Sequence, residues 1–175
     1  MSDKLISAIL FTGLPCSGKT TLACLLQEEL IKTGLDPIRL DGDIFRNTTG
    51  NNDFTMSGRW ANMSNIAYYI LRNIIPGDIV IGSFIAPLQK MREYIRKALA
   101  ETCQVKWIWV DTPWNWCVKR DAKGMYKKAL AGDIKSFTGV DSLYEYAWDA
   151  DIILDGTKPI EEQLQFILDE IGCKK

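Results

Sequence analysis

The sequence contains no histidine. That excludes histidine-based catalytic triads and imidazole metal sites, so any general base has to be a carboxylate, lysine, tyrosine or cysteine. It contains no C-x-x-C pair. Cys16, Cys24, Cys103, Cys117 and Cys173 are odd in number and scattered, so reduced thiols in a cytoplasmic protein are expected. No apolar run reaches the roughly 20 residues that cross a bilayer, and no apolar stretch follows a basic start. Neither a membrane contact nor a signal peptide is expected. A large excess of one charge is also missing. The net charge of −1 argues against a general nucleic-acid or membrane surface, so anion recognition has to be local. Internal repeats, low-complexity segments and interdomain linkers are absent. The 175 residues, 47% of them hydrophobic, are expected to form one domain, 1–175, with a sizeable core.

What is present is a phosphate-binding signature. Gly13-Leu14-Pro15-Cys16-Ser17-Gly18-Lys19-Thr20 fits G-x-x-x-x-G-K-[ST], with Thr21 following. The apolar stretch 5–11 before it reads as a buried strand. The stretch after it, through Leu30, has helical periodicity and no breaker. Strand, glycine-rich loop and helix together direct backbone N–H groups and a helix N-terminus at an anion. Lys19 is placed to reach the β- and γ-phosphates of a nucleoside triphosphate, and the Thr20 hydroxyl to ligate Mg²⁺. The loop does not say what receives the phosphate.

The alternation continues. Residues 22–33 complete the first helix, with Gly34 as its stop, and 37–40 form a strand ending in Asp41-Gly42-Asp43. The Asn-rich segment 47–55 reads as loop. Apolar residues from Trp60 to Ile74 recur at helical spacing within 57–75, and Pro76-Gly77 breaks that helix. Strands are expected at 78–82, 105–110 and 151–154, with helices at 88–101, from 114 to about 120, and at 159–172. Five short apolar strands separated by helices predict an α/β fold: a P-loop NTPase three-layer sandwich with a mostly parallel sheet covered on both faces. Ligands of such sheets bind beyond the carboxyl ends of the strands, where Asp41, Asp43, Ser83, Asp111 and the glycine loop all fall.

Asp41 and Asp43 flank a glycine one strand after the phosphate loop. Phosphoryl transfer needs one carboxylate near the metal and one to deprotonate the attacking hydroxyl, and this pair can divide those roles. In isolation the same residues would read as a solvated Asp-Gly turn. Arg120, Lys123, Lys127 and Lys128, interleaved with glycines over about 120–140, suit a lid that closes on phosphates.

Taken together, Gly-Leu-Pro-Cys-Ser-Gly-Lys-Thr-Thr, Leu40-Asp41-Gly42-Asp43-Ile44-Phe45-Arg46, Arg59-x-x-Asn62, Ser83-Phe84-Ile85-Ala86-Pro87, Arg120-Asp121-Ala122-Lys123-Gly124-Met125-Tyr126-Lys127-Lys128-Ala129 and Phe137-Thr138-Gly139-Val140-Asp141 resemble the adenylylsulfate (APS) kinase family over about 6–155. The resemblance implies transfer of the γ-phosphate of ATP, with Mg²⁺, to the ribose 3′-hydroxyl of APS in sulfate assimilation. It implies that Asp43 is the base and that Asp41 lies near the metal. Arg46, Arg59 and Asn62 would bind the acceptor's anionic and sugar groups, with Ser83, Phe84, Ile85 and Lys123 lining its site. Phe54 and Phe137 would sandwich its base. It also implies that Arg120 joins the ATP side and that the protein is a homodimer. Ser83 matches a serine described in the family as a phosphoenzyme intermediate. Since in-line transfer needs no covalent intermediate, a lining role is favoured.

The pattern is broken at several positions. Cys16 and Gly58 stand where the family usually has Gly and Asp. Ser64 and Asn65 replace two arginines, and Leu88-Gln89 replaces Tyr-Arg. Most of these fall on the acceptor side. The same chemistry on another nucleotide-linked anion, such as CDP-phosphoramidate, is the alternative, and a P-loop binding protein without turnover is a third reading.

Overall fold

The computed structural model describes residues 6–51, 53–73, 75 and 78–173. Leu5, Ile74, Pro76 and Gly77, which figured in the expected ends of two elements, lie outside them. The strands are β1 (Ile6–Thr12), β2 (Ile38–Asp41), β3 (Val80–Ser83), β4 (Gln104–Asp111) and β5 (Ile152–Asp155). They form one sheet in the order β2-β3-β1-β4-β5, every pair parallel. The helices are α1 (Lys19–Lys32), α2 (Gly42–Thr49), α3 (Met56–Asn73), α4 (Gln89–Leu99), α5 (Trp114–Arg120), α6 (Met125–Leu130) and α7 (Ile160–Glu170).

Strand alternation sorts the core into two layers. Ala8 and Leu10 of β1 and Val105 and Trp107 of β4 face Met63, Ile66 and Ile70 of α3 and Met91, Ile95 and Leu99 of α4. Ile9, Phe11, Ile108 and Val110 face Leu22, Leu26 and Leu30 of α1 and Ile167 and Leu168 of α7. The expected three-layer sandwich is thus present, with an entirely parallel sheet. Because β1 has β3 on one side and β4 on the other, the connections diverge at its carboxyl end. A crevice opens there, and the phosphate loop occupies it.

Two short helices differ from the sequence expectation. Residues 42–49 form α2 rather than running into loop, because Asp41 caps the helix and Gly50, at φ 68°, ends it. Within the expected lid, 125–130 form α6, whose Tyr126 and Lys127 amides donate to the Asp121 carboxylate at 3.0 Å each. Among the described residues no helix is long and apolar enough to cross a membrane.

The loop 83–87 after β3 is fixed from beneath. The Arg92 side chain is fully buried, donates through Nε and Nη2 to Asp149, and donates through Nη1 to the Ala86 carbonyl at 2.9 Å. Ala86 is held at φ 40°, a conformation a non-glycine residue needs support to keep. Removing one partner of a buried ion pair costs about 3–5 kcal/mol. Arg92→Met should fall near the lower bound, about 3 kcal/mol, because Asp149 keeps 19% exposure. Urea unfolding monitored by circular dichroism measures this, and a loss under about 1 kcal/mol would show that the pair does not anchor the loop.

Candidate active site

Strand ends, loops and helix starts bring the predicted residues to one edge of the sheet. Helix α1 starts at Lys19 with no side-chain cap and no acidic residue in its first turn, which leaves its N–H groups open to an anion. Gly13, Leu14, Pro15, Cys16, Ser17 and Gly18 curl ahead of it. Cys16 takes φ 59°, the region that explains why glycine is usual at this position. Thr20 and Thr21 face solvent at the helix start. Lys19 folds back onto its own loop, where Nζ donates to the Gly13 carbonyl at 3.0 Å and the Leu14 carbonyl at 2.6 Å. Burial pulls the Lys19 ammonium down to about 8, against the opposing pull of Cys117, Cys16, Asp43 and Asp41.

Asp41 joins three elements. Its Oδ2 accepts from Thr20 Oγ1 at 2.8 Å and from Ser83 Oγ at 3.0 Å, while Oδ1 accepts the Asp43 and Ile44 amides of α2. Burial works to raise its carboxyl, but those four hydrogen bonds outweigh it and keep it ionised. The oxygen donors Thr20 and Asp41 therefore converge in a set suited to Mg²⁺. Magnesium needs only one or two protein ligands beside phosphate and water.

Two residues further on, the Asp43 carboxylate is exposed at the start of α2, and Lys123 Nζ meets its Oδ2 at 2.5 Å. The expected base and the expected lid cation are thus in contact. Arg120 donates to the carbonyls of Ser17 and Gly156 at 3.1 and 2.9 Å, which ties α5 to the phosphate loop.

The acceptor-side residues form a second group. Arg46 lies over the Phe54 ring at 4.9 Å, and its Nη1 donates to the Asn51 and Asp53 carbonyls. Arg59 is buried. Its Nε donates to the Phe54 carbonyl at 3.0 Å and its Nη2 to the Ser136 carbonyl at 2.6 Å, so it draws the segments of both predicted stacking rings together. Burial, and then the nearby Arg46, disfavour the Arg59 cation. Two cations kept this close are suited to an anion between them. Asn62 is 2% exposed and its Oδ1 has no hydrogen-bond partner, an orphan that fits a ligand donor. Phe137 is half-buried, and Phe54 is exposed. Ile85 is half-buried and its carbonyl accepts from Thr12 Oγ1. Phe84 differs from expectation: its ring belongs to the core layer under α3 and α4, so only its backbone faces the crevice.

Some site features were missed in the sequence. The capping by Asp41 was signalled by Asp-Gly-Asp before an apolar pair, a helix-start pattern obscured by the polar Asn47-Thr48-Thr49 run. The placement of Tyr126, fully buried between the phosphate loop and Phe137, had no local signal.

The adenylylsulphate kinase family matches residues 6–155. An adenylyl-sulfate kinase of Escherichia coli is 37% identical over 160 residues, 91% of this chain and 79% of that protein. A solved APS kinase of Mycobacterium tuberculosis, in complex with AMPPNP and APS, superposes with a TM-score of 0.91 at 33% identity, covering 97% of this chain and 99% of the other. A gluconokinase from Sinorhizobium meliloti, 14% identical with a TM-score of 0.67, shares the fold. The chain belongs to the adenylylsulphate kinase family.

The state of Lys19 sets a pH dependence. Its folded value, about 8, lies below the ordinary 10.5, so the folded protein has released a proton that the unfolded chain keeps between those pH values. Stability therefore gains from this group as pH rises through that window, and loses nothing below it that it did not already lack. A polyphosphate favours the ammonium. Nucleotide binding at about pH 9 should then take up close to one proton, and affinity should weaken about fivefold from pH 8 to pH 9. Calorimetry in buffers of different ionisation enthalpy reads the uptake. Equal uptake by Lys19→Met would assign the proton elsewhere.

Proposed function

We propose that this adenylylsulphate kinase family member transfers the γ-phosphate of ATP to the ribose 3′-hydroxyl of adenylyl sulfate, giving 3′-phosphoadenylyl sulfate. The carrying observation is the Asp41 junction, which brings the start of α2, and with it Asp43, against the phosphate loop. The relatives' names and the APS complex of the M. tuberculosis enzyme support the choice of acceptor.

Gly13 to Thr21 cradle the triphosphate, with Lys19 leaving the loop carbonyls for the phosphates. Arg120 borders the nucleotide from α5. Thr20 and Asp41 are the residues that would hold Mg²⁺, which supplies charge neutralisation at the β- and γ-oxygens. The acceptor's base stacks between Phe54 and Phe137, its anionic tail meets Arg46 and Arg59, and the Asn62 amide takes a sugar or tail donor. Asp43 accepts the 3′-hydroxyl proton as that oxygen attacks in line. For this, Lys123 has to release Asp43, and it is then free to follow the charge on the moving phosphoryl group. Ser83 is 4% exposed and its hydroxyl donates to Asp41, an engagement that supports a lining role over a phosphoenzyme. The homodimer implied by the resemblance has an apolar surface available at Tyr68, Leu71 and Tyr94.

Steady-state kinetics with a panel of APS, adenosine monophosphate and CDP-phosphoramidate tests the acceptor. APS is expected to have the highest kcat/KM. Turnover of APS no better than adenosine monophosphate, or preference for the cytidine compound, would overturn the assignment. Asp43→Asn is expected to keep ATP binding and lower kcat about 10²–10⁴-fold, the range for a missing general base. Unchanged turnover would remove Asp43 from the proton transfer.

A further inference from the structure

Tyr126 is fully buried and carries no role in the transfer described above, yet it touches both halves of the site. Its hydroxyl donates to the Pro15 carbonyl of the phosphate loop at 3.2 Å. Its ring meets Phe137 edge to face, with centroids 5.0 Å apart and planes at 78°. Trp114 packs on the same ring at 6.4 Å, and its Nε1 donates to the Gly139 carbonyl at 2.7 Å. Gly139 has φ 89°, and a Cβ there would lie 3.1 Å from Leu14 and 3.6 Å from the Tyr126 hydroxyl. The segment carrying Phe137 therefore rests on Leu14 at Gly139 and reaches Pro15 through Tyr126. Thr138, between them, is 1% exposed with its hydroxyl unpartnered, so this segment is packed tightly even at the cost of an unmade hydrogen bond.

The loop residues under this segment are the ones a nucleotide disturbs. Lys19 now donates to the Gly13 and Leu14 carbonyls. When its ammonium turns to phosphate, both carbonyls lose that partner, and Leu14-Pro15 has to settle anew. We propose that Tyr126 is the positioning residue through which the phosphate loop sets Phe137, so that a bound nucleoside triphosphate prepares the acceptor's stacking face. This rests on the reading of Phe137 as the acceptor's ring. The coupling itself is a property of the chain: one rigid side chain joins a loop that responds to phosphate to a ring on the acceptor side.

Tyr126→Phe is the selective probe. It keeps the ring against Phe137 and Trp114 and removes the hydroxyl, with its bond to the Pro15 carbonyl and its contact with the Cys117 thiol. Hydrogen exchange of the amides at 136–141 is followed with and without AMPPNP, so the readout needs no acceptor. In the natural protein AMPPNP should slow their exchange about tenfold, within the usual range of coupling between sites. In Tyr126→Phe the slowing should vanish, while the dissociation constant for AMPPNP stays within about twofold and the melting temperature within about 2 °C. In turnover, the acceptor KM at saturating ATP should rise about 5- to 20-fold with kcat retained. Slowing that persists in Tyr126→Phe, or is absent from the natural protein, overturns the proposal. Failure of APS as acceptor with the exchange result intact would instead count against the proposed substrate alone.

Discussion

The site depends on one carboxylate. Asp41 accepts four hydrogen bonds, two from side chains of neighbouring elements and two from the start of α2. Its position at the end of an edge strand makes this possible. β2 delivers it beside β3, whose last residue is Ser83, and across from the start of α1, where Thr20 lies. Ionised and half-buried, it is kept charged by the donors it gathers, of which the buried Ser83 hydroxyl would lose its partner without it. The direction of α2 follows from the cap, and with it the place of Asp43 and Arg46 one turn apart. The proposed metal ligand, base and acceptor cation thus share one origin.

The basic residues follow a second rule. In a chain without histidine, the buried and half-buried cations here rest largely on backbone carbonyls: Lys19 on Gly13 and Leu14, Arg59 on Phe54 and Ser136, Arg120 on Ser17 and Gly156, and Arg92 on Ala86 as well as Asp149. A guanidinium with five donors can join two segments in this way, and Arg59, Arg92 and Arg120 do so. Lys19 differs because an ammonium is a point charge on a flexible stem. Burial has weakened its hold on its proton, and a polyphosphate offers a stronger partner than two carbonyls. The arginines set the frame, and in the proposed mechanism the lysines exchange partners within it. Lys123, paired with Asp43 at an exposed position, is the second such lysine.

The parts of this arrangement legible in the sequence are those written in local patterns. The glycine loop between strand and helix is a local pattern, and short apolar strands alternating with helices predict a parallel sheet covered on both faces. Helix α2 was hidden because its cap, Asp41, was read for its chemistry and its polar second half resembled a loop. Phe84 was assigned to the acceptor by its place in a motif, but its period along the strand exit turns it into the core. The contacts of Arg59 and Tyr126 were out of reach for another reason: Arg59 bonds Ser136, 77 residues away, and Tyr126 bonds Pro15, 111 residues away. No local period encodes such contacts.

The breaks in the family pattern look different in space than they do along the chain. Ser64 and Asn65, which stand in place of two arginines, are on the exposed side of α3, opposite Arg59, Asn62 and Met63. Asn65 lines a groove of about 600 Å³ with Asp41, Ile44, Tyr68 and Tyr69. Gly58, in place of an aspartate, admits another one. A Cβ at 58 would lie 2.4 Å from Asp53 Cγ, so a carboxylate-bearing side chain reaches the same space from the preceding turn and accepts the Thr55 amide. Cys16 keeps the backbone conformation that a glycine would adopt there. Gly58 and Cys16 thus preserve the local geometry, and Ser64 and Asn65 lie on the exposed side of α3. On the proposed reading the acceptor is held by the residues that remain: Arg46 and Arg59 for charge, Asn62 for hydrogen bonding, and Phe54 and Phe137 for the base. Stacking tolerates any base, so on this reading discrimination among nucleotide acceptors falls to the anionic tail that meets Arg46 and Arg59.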